Sequence, residues 1–198
     1  MKGKGFSIKG IIIAIALVGL VLFYFNYLSN RSSEQRTERA KTELEQLEGH
    51  NMTDEYPKTP RDVVKLHNRY MKVFYGQSLS DDELLALNEK ACKLYCSELM
   101  AANTETTILN NLKKNIEDVK AEGYTYKSYA LPEASQVQKF TRDGKEMATL
   151  EVTVTIETND GMAYRYVQYI LIMEDDQWKI YGWGDAQNET DQQSGYEN

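Results

Sequence analysis

Residues 175–185 read DDQWKIYGWGD, Asp175 to Asp185, and hold both tryptophans of the 198-residue chain. Aromatic and β-branched residues follow the polar turn Glu174-Asp-Asp-Gln177, a pattern that predicts the closing strand of an antiparallel sheet. Trp178 and Trp183 stand five residues apart, so an unbroken strand would point them to opposite faces. One would then pack beneath helices and the other would need its own cover, from a partner subunit, a neighbouring segment or its own hairpin. Trp183, grouped with Tyr181, is expected to face the helices. Trp178, beside the turn, is expected to clamp the outer surface.

The segments upstream have the same period of two. It begins at Tyr124-Thr-Tyr-Lys-Ser-Tyr129, and the turns Arg142-Asp-Gly-Lys145 and Thr158-Asn-Asp-Gly161 separate the later runs. In MATLEVTVTIET, residues 147–158, Ala148, Leu150, Val152, Val154 and Ile156 share a dry face while threonines and glutamates share a wet one. The following run, MAYRYVQYILIM at 162–173, is apolar or aromatic on both faces and reads as a central strand covered on both sides for much of its length.

Before the strands the period is helical. Thr59-Pro-Arg-Asp62 caps a first helix carrying Val63, Leu66, His67, Tyr70 and Phe74, and Gly76 stops it. Ser80-Asp-Asp-Glu83 is a capping box for a second, whose stripe runs through Leu84, Leu85, Ala91, Cys92, Tyr95 and Leu99. A third starts near Asn103-Thr104, shows Ile108, Leu109, Leu112, Ile116 and Val119, and ends at Gly123.

The amino-terminal part differs in kind. Residues 8–28 contain the uncharged run Ile11–Phe25 and reach the roughly 20 residues that span a bilayer core, so they predict an uncleaved single-pass anchor behind a cytoplasmic tail at 1–7. Lys2, Lys4, Lys9 and the amino terminus face Arg31, Arg36, Arg39 and Lys41 across it, a tie under the positive-inside rule. The expected orientation places the amino terminus inside and the carboxy-terminal domain outside a bacterial plasma membrane. Residues 29–56 read as a charged stalk and hinge, 57–185 as the folded domain, and 186–198 as a disordered acidic tail.

All 30 acidic residues lie after the anchor with 20 of the 23 basic ones, a formal charge of −10 that argues against nucleic acid. Cys92 and Cys96, four apart, fall on one helix face at a separation of about 5–6 Å, too far for an unstrained disulfide. They read as buried thiols. With His50 and His67 the only histidines, neither a metal site nor a cofactor is expected.

Three amphipathic helices, a meander of long strands and the closing EDDQWKIYGW together resemble the nuclear transport factor two-like fold, an α+β cone with helices on a curved antiparallel sheet. With the anchor added, the chain is similar to small membrane-tethered bacterial proteins classed as a domain of unknown function, and to VirB-type scaffold proteins of conjugation machines. The resemblance implies a cavity between helices and sheet. Its candidate lining is His67 and Tyr70 on the first helix, Tyr164, Tyr166 and Gln168 on the central strand, and Trp183 on the last. The commoner reading of such a histidine, a core or rim residue hydrogen-bonded locally, outweighs a ligand-contacting role for His67. Isomerases of this fold pair a carboxylate base with a tyrosine, and no carboxylate stands on the dry faces. The expected function is a tethered binding or interaction module without catalysis, engaging an unidentified protein or small molecule. The alternatives are a scaffold subunit of an envelope or VirB-type conjugation assembly and an enzyme acting on a small hydrophobic ligand; separately, a homodimer through the sheet is one way to cover the second tryptophan.

Overall fold

The computed structural model describes residues 43–186. The sequence readings of an anchor at 8–28, of the stalk up to residue 42 and of the tail after 186 lie outside the described residues. Among those described, no helix is long and apolar enough to cross a membrane. The chain divides into two compact units, Met1–Gln46 and Leu47–Asn198, and the fold below is that of the second.

Its packing begins within a helix, α1, over residues 43–49, where Leu47 is fully buried. The Lys90 ammonium donates to the carbonyls of Leu47, Glu48 and His50, closing the carboxy-terminal turn of α1, where unpaired carbonyls and the helix dipole favour a cation. Met52 is buried and the Tyr56 hydroxyl donates to the Trp178 carbonyl, so the segment before residue 57 also packs on the domain.

Helix α2 (Pro60–Gly76) starts as its sequence requires, with Thr59 capping the Asp62 amide and proline in the first turn. The capping box of Ser80 and Glu83 opens α3 (Asp81–Cys92). The expected stripe then breaks. The Leu94 carbonyl and the Cys96 amide bond to the Ile180 backbone, and Tyr95 forms a parallel bridge with Ile180, so the chain leaves the helix to run beside a strand. It resumes as the short α4 (Ser97–Ala102), with Cys96 as its N-cap. Cys92 and Cys96 are therefore free, buried thiols on different elements rather than on one helix face. Helix α5 (Glu105–Ala121) follows from the Thr104 cap. At its end Gly123 takes a φ of 73°, where a Cβ would strike the Asn159 side chain at 2.6 Å.

The sheet is antiparallel: β1 (Thr125–Ala130), β2 (Gln138–Arg142), β3 (Lys145–Thr158), β4 (Gly161–Glu174) and β5 (Gln177–Asp185). Its order is β1-β3-β4-β5, with β2 also paired to β3. Register decides the faces. Ala148, Leu150, Val152 and Val154 sit opposite Leu171, Tyr169, Val167 and Arg165 on the face that meets the helices. Thr153 and Glu151 sit opposite Tyr166 and Gln168 on the other. The outer side of β4 is open, with Tyr164 64% and Tyr166 51% exposed, which corrects the expectation of cover on both sides. Among the described residues, cover exists there at the far end, where Ile172 packs with Met147, Cys96 and Leu99.

The two tryptophans share a face. Tyr169 pairs with Trp183 and Leu171 with Ile180, which leaves Tyr181 as an extra, unpaired residue. Such a bulge shifts the side-chain alternation by one. Trp178, opposite Met173, and Trp183 therefore both point to the helix side. Trp178 is 3% exposed beneath the Lys139 ammonium, so the expected outer clamp is overturned. Trp183 does face the helices, as expected, yet remains 42% exposed because it borders a cavity.

Candidate functional site

The cavity, about 710 Å³, lies between the helix-facing side of the sheet and helices α2 to α5. It exists because α5 packs on α2 and α3 while its apolar side stays off the sheet. Ile108, Leu112 and Val119 look across the space to Val154, Ile156 and Val167, and of α5 only Leu112 is buried. An amphipathic helix ordinarily buries that stripe against the core. Here the stripe forms one wall of the cavity.

A chain of hydrogen bonds runs along its floor. The Tyr126 hydroxyl donates to Asn68 Oδ1 at 2.8 Å, and Asn68 Nδ2 donates to the Tyr169 hydroxyl at 3.1 Å. The Tyr169 hydroxyl lies 3.0 Å from His67 Nδ1, and the imidazole tautomer sets which of the two donates. With the His67 proton on Nε2, Tyr169 donates to Nδ1 and Nε2 donates to the Tyr95 hydroxyl at 3.2 Å; with the proton on Nδ1 both bonds reverse and the Tyr169 proton is the one left over. In the first tautomer no acceptor among the described residues takes the Tyr95 proton, and Tyr95 and Tyr169 both border the cavity. Rings reinforce the floor: Trp183 lies 4.8 Å from His67 and stacks on Tyr95 at 5.3 Å and Tyr169 at 6.4 Å.

Burial keeps these groups uncharged. His67, without access to water, is pushed down to about 3 by desolvation. The same cause raises the phenols of Tyr95, Tyr169 and Tyr126. Asparagines 88, 111 and 115 add neutral amides to the wall, and charge appears only at exposed positions, where Arg165 and Asp185 pair at 3.9 Å near Asp118 and Glu122.

Of the residues chosen from sequence, Trp183 borders the cavity and His67 stands just behind it. Tyr70 is fully buried against Phe74, its hydroxyl without a hydrogen bond among the described residues, and it does not reach the space. Tyr164, Tyr166 and Gln168 lie on the outer face, one register step from Arg165, Val167 and Tyr169, which do line it. Pairing Thr153 with Tyr166 would have shown this, since the threonine face already read as wet. Asn68, Tyr95 and Tyr126 were missed. The signal was present for Asn68, a buried amide beside His67 on the sheet-facing side of α2. Among the described residues no group of three or more histidine, cysteine or carboxylate side chains is placed to hold a metal ion.

A family model matches residues 1–183, from the amino-terminal segment to Trp183. The chain belongs to the DUF6715 family. That family is described as a domain of unknown function, and its match takes in the apolar run at 8–28 together with the whole sheet as far as Trp183. No curated protein matches this DUF6715 chain. Among solved structures, TraH from the Gram-positive conjugative plasmid pIP501 is similar at 10% identity and a TM-score of 0.37, over 67% of this chain and 98% of that one. The intermembrane space region of the chloroplast protein ARC6 is similar at 12% identity and a TM-score of 0.30, over 67% and 100%. Scores this low carry no argument about function.

Proposed function

We propose that the protein is a single-pass, membrane-tethered binding module that works outside the cytoplasm without catalysis, with the cavity beneath α5 as its ligand site. The carrying observation is the space itself: a helix holds its apolar stripe off the sheet, and a volume of about 710 Å³ lies in the range of small-molecule sites. The uncharged run at 8–28 supports the tether, and the family match, which includes that run with the domain, supports reading the two as one unit. Helices over one face of an antiparallel sheet support placing the domain in the nuclear transport factor two-like cone. Neutral amides and phenols at the wall, with carboxylates kept to exposed positions, support binding rather than proton transfer.

Native mass spectrometry of the full chain released from host membranes tests this. A noncovalent small-molecule adduct is expected on the wild type and absent from Asn111→Trp, which places a ring in the cavity from an exposed position of α5. The same bare mass for both would count against the reading.

The exposed outer face favours a second reading, a scaffold subunit of an envelope or VirB-type conjugation assembly. Met162, Tyr164, Tyr166 and Ile170 form one stripe there, 57%, 64%, 51% and 37% exposed. A bismaleimide should then cross-link full-length Tyr166→Cys into dimers or larger adducts in membranes. Monomer alone would argue against it.

A further inference from the structure

The hydrogen-bond chain on the cavity floor leaves one phenol proton over, and an unspent donor selects ligands. With the His67 proton on Nε2 the donors along it are committed in turn: Tyr126 to Asn68, Asn68 to Tyr169, Tyr169 to His67, and His67 to Tyr95. In this tautomer, which the proposal adopts, the hydroxyl proton of Tyr95 is what the chain leaves over. Successive hydrogen bonds polarise one another, so this last hydroxyl is a stronger donor than an isolated phenol. Tyr95 also takes part in the T-shaped and stacked contacts with His67 and Trp183, which hold its ring in place.

We propose that the cavity takes an uncharged ligand with an apolar body and a carbonyl-type acceptor, the acceptor meeting the Tyr95 hydroxyl and the body lying between Trp183 and the apolar side of α5. This rests on the cavity being the ligand site. An anion is disfavoured on two grounds. Among the described residues no cationic side chain lies along the floor, and the neutral His67 does not supply charge there, since burial resists its protonation. At the exposed edge Asp118, Glu122 and Asp185 outnumber Arg165, so the approach carries negative potential. An uncharged ligand leaves none of these groups uncompensated. Its apolar body covers Ile108, Val119 and Val167, which nothing in the domain covers fully.

Fluorescence titration of the full chain in detergent provides the test, with Asn111→Trp as the background for micelle partitioning. The probes are Prodan, a neutral naphthalene ketone; its analogue with propyl in place of propionyl; and ANS, a naphthalene sulfonate. Prodan should bind the wild type at least tenfold more tightly than Asn111→Trp. The propyl analogue should bind the wild type about 3- to 10-fold more weakly than Prodan, the worth of one good hydrogen bond. Tyr95→Phe should abolish that difference and shift bound Prodan emission to the blue, while ANS should not distinguish wild type from Asn111→Trp. If Prodan fails to distinguish those two chains, the cavity is not a ligand site and both readings fall. If ANS distinguishes them, or if the ketone and the propyl analogue bind the wild type equally, the site stands and the ligand class proposed for it is wrong.

Discussion

His67 is neutral in the folded chain and titrates only near 3, whereas in the unfolded chain it titrates near 6.5. The unfolded state therefore gains a proton first as pH falls. Stability from this group is complete above about pH 6.5 and is lost between there and about pH 3. Relative to His67→Gln, the wild type should lose about 3 kcal/mol more between pH 6.5 and 4. Thermal melts across that range check it, and parallel curves for the two chains would refute it. The tryptophans make a second prediction at this scale. Trp178, 3% exposed, should cost about 3–5 kcal/mol when cut to alanine, while Trp183, 42% exposed, should cost about 1–2 from its ring contacts. Denaturant midpoints of the two full-length variants rank them, reversing the order that plain alternation implies. A core histidine was legible from its place on a helical stripe. Its partners were not, because Tyr169 lies 102 residues further along the chain and only register decides that it, rather than Tyr166 or Gln168, turns inward.

Among the elements, those that announced themselves did so through local chemistry. The Thr59 cap, the Ser80 box and the helical stripes of α2 and α5 depend on neighbours within a turn or two, and the described helices begin where these signals stand. The break after Cys92 left no such trace. Leu94 and Cys96 leave the helix because Ile180, more than eighty residues on, offers them backbone partners. The bulge at Tyr181 is intermediate, since a glycine inside a strand is a recognised sign of one and Gly182 follows it. Yet Gly182 does not need to be glycine: its φ is ordinary, a Cβ there would meet nothing within 4 Å, and it faces outward opposite Ile170. Gly182→Thr should raise the stability by roughly 0.5–1 kcal/mol in urea denaturation, through lower backbone entropy and a cross-strand contact. A loss instead would mean that the bulge depends on glycine's freedom. Tyr181 itself is engaged, its hydroxyl donating to Glu98 of α4 at 3.0 Å, so the extra residue ties the strand to the neighbouring helix.

At the scale of the molecule, the tether reading predicts that alkaline phosphatase fused after Asn198 is active and a cytosolic reporter there is silent. The reverse pattern would place the domain on the other side of the membrane. Sequence carried the class of the domain, helices followed by an antiparallel sheet, because a change of period from about 3.6 to 2 is visible without contacts. The cavity was beyond it, since an apolar stripe looks the same whether it meets a core or an empty space. One feature near the start of the domain bears on force. The Lys90 clasp, with Leu47 plugged beneath it, ties the last turn of α1 to α3. If a partner held by the sheet is pulled while the amino-terminal side is anchored, this clasp is met by the load before the strand ladder is. Cutting the ammonium away in Lys90→Met should let α1 peel at a lower force in single-molecule pulling while the β3–β4 hairpin ruptures as before, making this clasp the molecule's mechanical fuse.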